Sequence, residues 1–245
     1  MNDSPPLFDA PRKSPVDRLR ALLEILLISG LVSSALAALP FVLFSGQKAD
    51  ILVRDAIALS LFLLLESGIT ILLLTNLLKA HRESLSGLGL RWNQWKFNLL
   101  IGLALVPALF LINAIVELTF RNYLPQYCME RNPLTEIIHT PQQLALLMVS
   151  ALIAGGIKEE LQRAFILNRF GRYLGGSLVG LVLWSLAFGV AHYVQGVQGI
   201  AVAAIYGLVF GITYLLSKSL IAPIMAHSAY DTAALLIYWF FARHY

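Results

Sequence analysis

Five ionisable side chains fall within or beside the later apolar stretches of the chain. The stretch KEELQR supplies Glu159 and Glu160, LAFGVAH ends at His192, and AHSAYD carries His227 and Asp231. A charged group at the centre of a membrane helix costs about 2.5–3.5 kcal/mol on insertion scales, so it needs a partner, water or a function. Carboxylates that accept a proton from water, with imidazoles to orient them, are the groups that hydrolysis requires. The sequence therefore predicts hydrolytic chemistry at these residues.

The spacing of these residues predicts which of them share a helix face. Glu159 and Arg163 are four residues apart, which predicts a salt bridge that keeps Glu159 ionised, while Glu160 points about 100° away. His227 and Asp231 are also four apart, and two costly groups on one face indicate a polar cavity. More ordinary roles stay open, namely a helix end that reaches the headgroups and histidines that form local hydrogen bonds.

Glu66 stands alone in the stretch FLLLESGITILLL, in the middle of an apolar run. It is either a protonated acid that is hydrogen-bonded within the protein or a member of a polar pathway.

The composition decides the solvent in which these groups act. Of the 245 residues, 58% are hydrophobic and only 13% are charged, and the mean hydropathy is +0.73. These values are typical of polytopic membrane proteins. We predict an all-α transmembrane bundle of about seven to eight helices over residues 18–245, after a polar, disordered tail at 1–17. The apolar runs lie near 22–44, 56–78, 98–120, 142–167, 177–194, 199–216 and 220–241.

The first apolar run is too long for a cleaved signal peptide, so we expect it to be retained. The single cysteine, Cys128, excludes an intrachain disulfide and a multi-cysteine metal site.

Basic residues are concentrated in alternate loops, which predicts the orientation of the bundle. They precede the first predicted span, separate the second from the third, and follow the fourth and the sixth. By the positive-inside rule these loops and the N-terminus are cytoplasmic. The net charge of +4 then reflects topology and contact with anionic membrane lipid, and no nucleic-acid-binding patch is evident.

The three motifs resemble those of the CPBP family of intramembrane proteases, which unites type II CAAX prenyl endopeptidases with bacterial Abi and bacteriocin-processing proteins. The family pattern is EExxxR, then FxxxH, then HxxxN or HxxxD. Phe188 to His192 fits the second motif and His227 to Asp231 fits the third. The resemblance covers about residues 85–241 and implies hydrolysis of a peptide bond in a membrane-associated peptide, prenylated or not. It also implies a bacterial inner-membrane protein, whose site we expect to open to the cytoplasm.

The first motif departs from the family pattern in one position, in either of two registers. If Arg163 is aligned with the family arginine, Glu159 takes the second glutamate position and Lys158 replaces the first. If Glu159 and Glu160 are aligned with the family pair, the arginine comes one residue early.

Two mechanisms fit the residues. In the first, which we favour, Glu159 acts with His192 as the base on a water, His227 and its partner stabilise the oxyanion, and no cofactor is required. An ionised Asp231 only accepts hydrogen bonds, so it would orient His227. In the second, Zn²⁺ is bound by His192, His227 and Glu159, with an open fourth position. Glu160, Arg163 and Phe188 complete the predicted site.

Two functions outside proteolysis also fit this composition. A proton-coupled transporter would place the same acidic and imidazole groups, with Glu66, in midplane cavities, although the chain lacks paired halves with matching Gly or Pro breaks. An inactive scaffold that binds membrane peptides would account for Lys158 in the first motif.

Overall fold

The computed structural model describes residues 14–44, 51–52, 54–92, 94–129 and 131–242. Over these ranges the regular structure is helical throughout, which confirms the predicted all-α bundle. Short 3₁₀-helical turns, Pro125–Tyr127 and Tyr193–Gln195 among them, lie between α-helices. The α-helices are α1 (Pro15–Ile28), α2 (Leu31–Phe44), α3 (Ala56–Ala80), α4 (Trp95–Tyr123), α5 (Pro133–Glu136), α6 (Pro141–Ala151), α7 (Glu160–Tyr173), α8 (Ser177–Ala191), α9 (Gly196–Ser217) and α10 (Ile221–Ile237). A π-helical segment, Leu152–Glu159, joins α6 to α7 without a break, and a second, Tyr238–Ala242, follows α10.

Among the described residues, four helical stretches are long and apolar enough to cross a membrane. They are Pro15–Leu43, Ala56–Ala80, Trp95–Tyr123 and Tyr193–Ser217. Large apolar side chains such as Leu72 and Leu118 are exposed on their outer faces, as expected of helices that contact lipid. The chain is therefore an integral membrane protein. The other three predicted spans are helical too, but α8 and α10 are shorter. The continuous α6–α7 helix carries the polar stretch KEELQR, residues 158–163.

The first predicted span is divided into two helices at Gly30. This residue has φ +97°, a left-handed conformation that ends α1 before α2 begins. The side chain of Gln162, on α7, donates a hydrogen bond to the carbonyl of Ile28 at this break. The amide thus satisfies a carbonyl group at the helix end, which would be costly to leave unpaired inside a membrane.

Helix α1 begins three residues before the predicted bundle boundary at residue 18. Ser14 accepts a hydrogen bond from the backbone of Asp17, the Asp17 side chain accepts one from the backbone of Ser14, and Pro15 occupies the first turn. This capping box stabilises a helix start. The rest of the predicted tail, residues 1–13, lies outside the described residues.

A buried ion cluster fastens α1 and the end of α3 to α7. The guanidinium of Arg169 donates to Glu24 at 2.7 Å and to Glu83 at 2.9 Å, and lies 4.3 Å from the ring centroid of Phe165. His81 adds a 2.6 Å contact to Glu24. Such a network holds the three elements together, because each buried charge would lack a counter-ion if its partner moved away.

The π-helical segment lies at the centre of the bundle, against α10. A Cβ atom on Gly155 would lie 2.6 Å from the Asp231 carboxylate, and a Cβ atom on Gly156 would overlap the Ser228 side chain. Two glycines therefore allow the backbones to approach closely, as small residues do between membrane helices. This close approach places the face of α10 that carries His227 beside Glu159 and Glu160.

We predict that Gly156→Ala destabilises the bundle by about 1–3 kcal/mol, because the added methyl group forces the π-helical segment away from α10. The measurement is thermal unfolding of the purified protein in detergent. Gly68→Ala is the matched control, because a Cβ at exposed, helical Gly68 meets nothing within 4 Å. Equal unfolding midpoints for the two variants would contradict the close approach.

Candidate active site

The imidazole of His227 lies at the centre of three carboxylates. Its Nδ1 atom is 2.9 Å from Oε1 of Glu160. Its Nε2 atom is 3.6 Å from Oδ2 of Asp231 and 3.9 Å from Oε2 of Glu159. The structure therefore brings together four of the five predicted catalytic residues, from two separate helical elements.

Arg163 forms its ion pair with Glu160, three residues before it, and not with Glu159 as predicted. Both side chains are buried, at 1% and 0% exposure. The difference arises because Glu160 begins α7 and shares a face with Arg163, whereas Glu159 ends the π-helical segment, where the turn is wider. The guanidinium also lies over the rings of Phe188 and Phe210, at 4.9 and 5.5 Å.

Glu159 is the more accessible of the two glutamates, with 19% of its side chain exposed. Its Oε1 atom is 3.5 Å from Nζ of Lys158, and its Oε2 atom faces His227. It also interacts electrostatically with His192. Of the paired glutamates, Glu159 is thus the one that water can reach.

His192 caps the end of α8 and is fixed through the motif that the sequence predicted. Its Nδ1 atom is 2.8 Å from the carbonyl oxygen of Phe188, and the centroids of the two tilted rings are 4.6 Å apart. Because a carbonyl only accepts, Nδ1 carries the proton in this contact and Nε2 is left for other partners. The Phe188 ring lies 6.4 Å from the His227 ring as well, so it connects both histidines.

The alternative zinc set, His192, His227 and Glu159, is not assembled in this arrangement. Among the described residues no group of three His, Cys, Asp or Glu side chains is placed to hold a metal ion. Nδ1 of His227 is engaged by Glu160, and its Nε2 is shared between two carboxylates. In this arrangement the described residues do not form a preformed metal centre.

Lys158 and Glu66 form a buried ion pair that sequence reasoning did not anticipate. Nζ of Lys158 is 2.9 Å from Oε2 of Glu66, and the side chains are 8% and 4% exposed. The other Glu66 oxygen accepts hydrogen bonds from Ser33 at 2.8 Å and Thr70 at 3.0 Å. Glu66 is thus the counter-ion of the residue that departs from the family pattern. The available signal was that Glu66, which is isolated in an apolar stretch, needs a partner of opposite charge.

Comparison with known protein families identifies the segment that holds this site. Residues 140–233 match the family model described as type II CAAX prenyl endopeptidase Rce1-like. Searches of curated proteins and of solved structures give no match. The matched segment contains every residue predicted for the site: Glu159, Glu160, Arg163, Phe188, His192, His227 and Asp231. As its motifs predicted, residues 140–233 of this integral membrane protein are thus similar to the Rce1-like type II CAAX prenyl endopeptidase family.

Proposed function

We propose that the chain is an intramembrane endopeptidase that hydrolyses a peptide bond of a membrane-associated peptide with water activated by Glu159. The observation that carries this proposal is the convergence of Glu159, Glu160 and Asp231 on His227, inside the segment that matches a family of membrane endopeptidases. Carboxylate and imidazole groups in contact are the parts that general acid–base hydrolysis needs.

Glu159 is the proposed general base because it is the glutamate that is free to accept a proton. Glu160 is buried and already engaged by Arg163 and His227, whereas Glu159 is partly exposed. In the proposed reaction the Glu159 carboxylate takes a proton from water as the water oxygen attacks the scissile carbonyl. The proton then passes to the amine that leaves. Nε2 of His192 is not engaged by the Phe188 carbonyl, and we propose that it assists Glu159 from the substrate side.

His227 is proposed to stabilise the oxyanion as an imidazolium, which donates from Nδ1 to Glu160 and from Nε2 to the oxyanion. Glu160 holds Nδ1 at 2.9 Å and so fixes the ring. The distances of 3.6 and 3.9 Å from Nε2 to Asp231 and Glu159 are too long for direct hydrogen bonds. A water molecule or a substrate oxygen can bridge groups at such distances. Glu160, and not Asp231 as expected, is therefore proposed to orient His227. Asp231 is proposed to face the substrate.

The depth of the site restricts the substrate. The site lies at the start of α7, which has 14 residues, and at the end of α8, which has 15. At about 1.5 Å per residue, the opposite ends of these helices are about 20 Å away. A scissile bond that enters from the side of the α7–α8 turn has to reach this depth, which suits a peptide that is lipid-anchored or inserted in the membrane. Opening of the site to the cytoplasm stays a prediction.

We predict that Glu159→Gln lowers kcat by about 10³-fold and His192→Ala by about 10²-fold, because general acid–base groups contribute factors of this size. The measurement is mass spectrometry of prenylated and unprenylated peptides after incubation with the protein in proteoliposomes. Equal cleavage by the wild type and both variants would indicate a contaminating protease. Substrate-dependent proton flux without cleavage would favour the transporter, and peptide binding without cleavage would favour the scaffold.

We predict that Asp231→Asn keeps activity within about tenfold of the wild type, whereas Asp231→Leu loses at least about 10²-fold. An amide preserves the size of the side chain and can donate to an oxyanion, whereas leucine can neither donate nor accept. Both variants are compared in the same peptide assay, with circular dichroism to verify folding. Full activity of Asp231→Leu would remove Asp231 from the proposed site.

We also propose that the protein lies in a bacterial inner membrane with its N-terminus in the cytoplasm, and the lone cysteine provides a test. Cys128 follows α4, on the side opposite the N-terminus in this orientation, and is half-buried. A membrane-impermeant maleimide added to cells with a permeabilised outer membrane should label it. The matched control, Cys128→Ser with Ser86→Cys, moves the thiol to the exposed loop after α3 and should stay unlabelled. The reverse labelling pattern would invert the orientation.

A further inference from the structure

We propose that Glu66 and Lys158 act as a positioning pair for Glu159, so that α3 contributes to the active site from outside the segment that matches the family. This inference rests on the proposed function and names the device that keeps Glu159 available as the base. Neither Glu66 nor Lys158 is proposed to touch the substrate.

The ammonium of Lys158 lies between two carboxylates at unequal distances. It is 2.9 Å from Glu66 and 3.5 Å from Glu159. Because the contact to Glu66 is the shorter, Glu66 is the principal counter-ion. The ammonium makes only a looser contact with Oε1 of Glu159, and Oε2 of Glu159 remains directed toward His227.

Glu66 is itself held in place from two helices. The hydroxyls of Ser33 on α2 and Thr70 on α3 both lie within hydrogen-bonding distance of Oε1 of Glu66, and they are 2.8 Å from each other. The carboxylate is therefore fixed before it meets Lys158, and the ammonium is fixed in turn. Two ordered groups connect the α2–α3 side of the bundle to the proposed base.

The charges explain why this pair is needed. A lysine that directly precedes the proposed base, buried and without another partner, would bind the Glu159 carboxylate closely and neutralise it. Because the ammonium of Lys158 pairs mainly with Glu66, it orients the Glu159 carboxylate without forming a close ion pair with it. Lys158 in the first motif and the isolated Glu66 in α3 therefore depend on each other as counter-ions.

A simpler role is that the pair only holds α3 against the π-helical segment. That role predicts lower stability on removal of either charge, with no specific effect on turnover. The buried pair of Glu24 and Arg169, at 2.7 Å, supplies the comparison. It joins α1 to α7 at the far end of α7 from the site, so Glu24→Gln should lower the unfolding temperature and leave kcat within about threefold of the wild type.

The experiment measures kcat, KM and the unfolding temperature for Glu66→Gln, Lys158→Met and the exchanged pair Glu66→Lys with Lys158→Glu. We expect each single variant to lower kcat about 10- to 100-fold with KM within about threefold, since displacing a reactive group by about 1 Å costs this much. The exchanged pair should not recover kcat, because it keeps opposite charges between α3 and the π-helical segment but places a carboxylate instead of a cation beside Glu159.

A double-mutant cycle tests the contact without enzymatic activity. Lys158→Met and Glu159→Gln, alone and combined, should shift the unfolding temperature non-additively, by at least about 2–4 °C, if their charges interact.

The outcomes separate the two proposals. If Glu159→Gln abolishes cleavage while Glu66→Gln and Lys158→Met keep kcat within about threefold, the positioning role is overturned and the proposed function stands. If the wild type does not cleave, or Glu159→Gln cleaves at the wild-type rate, the proposed function fails. The cycle then decides whether Lys158 is coupled to Glu159, and additive shifts overturn that coupling.

Discussion

The structure depends on the pairing of charges that enter an apolar bundle. An unpaired charge in this environment is strongly disfavoured, and removal of one partner from a buried pair typically costs about 3–5 kcal/mol. Arg163 meets Glu160, Lys158 meets Glu66, and Arg169 meets Glu24 and Glu83. The last two sets join helices that are distant in sequence. Pairing therefore selects one arrangement of helices from the many that apolar side chains alone would allow.

The same requirement explains how reactive groups persist inside the membrane. Glu160 and Arg163 neutralise each other locally, and the aromatic rings of Phe188 and Phe210 cover the guanidinium. The imidazole of His227 stacks on Phe210 at 4.6 Å and is held by Glu160. A rigid, paired inner layer of this kind supports the more exposed Glu159 and Asp231, as preorganised sites require.

Much of this architecture could be predicted from the sequence, because composition and helical spacing are local properties. Apolar run lengths indicated the helices, and the spacing of four residues between His227 and Asp231 indicated a shared face. The break at Gly30 could not be predicted from apolarity, since it depends on a left-handed glycine and on Gln162 from a distant helix. The Lys158–Glu66 pair was hidden for the same reason: residues far apart in sequence meet only through the packing of α3. The partner of Arg163 was assigned wrongly because an α-helical turn was assumed where a π-helix ends.

The π-helical segment Leu152–Glu159 affects how this chain is aligned with the family model that it matches. A π-helical turn accommodates an additional residue while the helix continues on either side. An insertion or deletion of one residue there can be absorbed locally, so that α6 and the rest of α7 keep their places. Residues before such an insertion or deletion then change their spacing to Arg163 by one, while Glu160 and Arg163, which both lie in α7, stay paired. Chains that carry these motifs are therefore better compared by the atoms that meet at the site than by fixed spacing within the first motif.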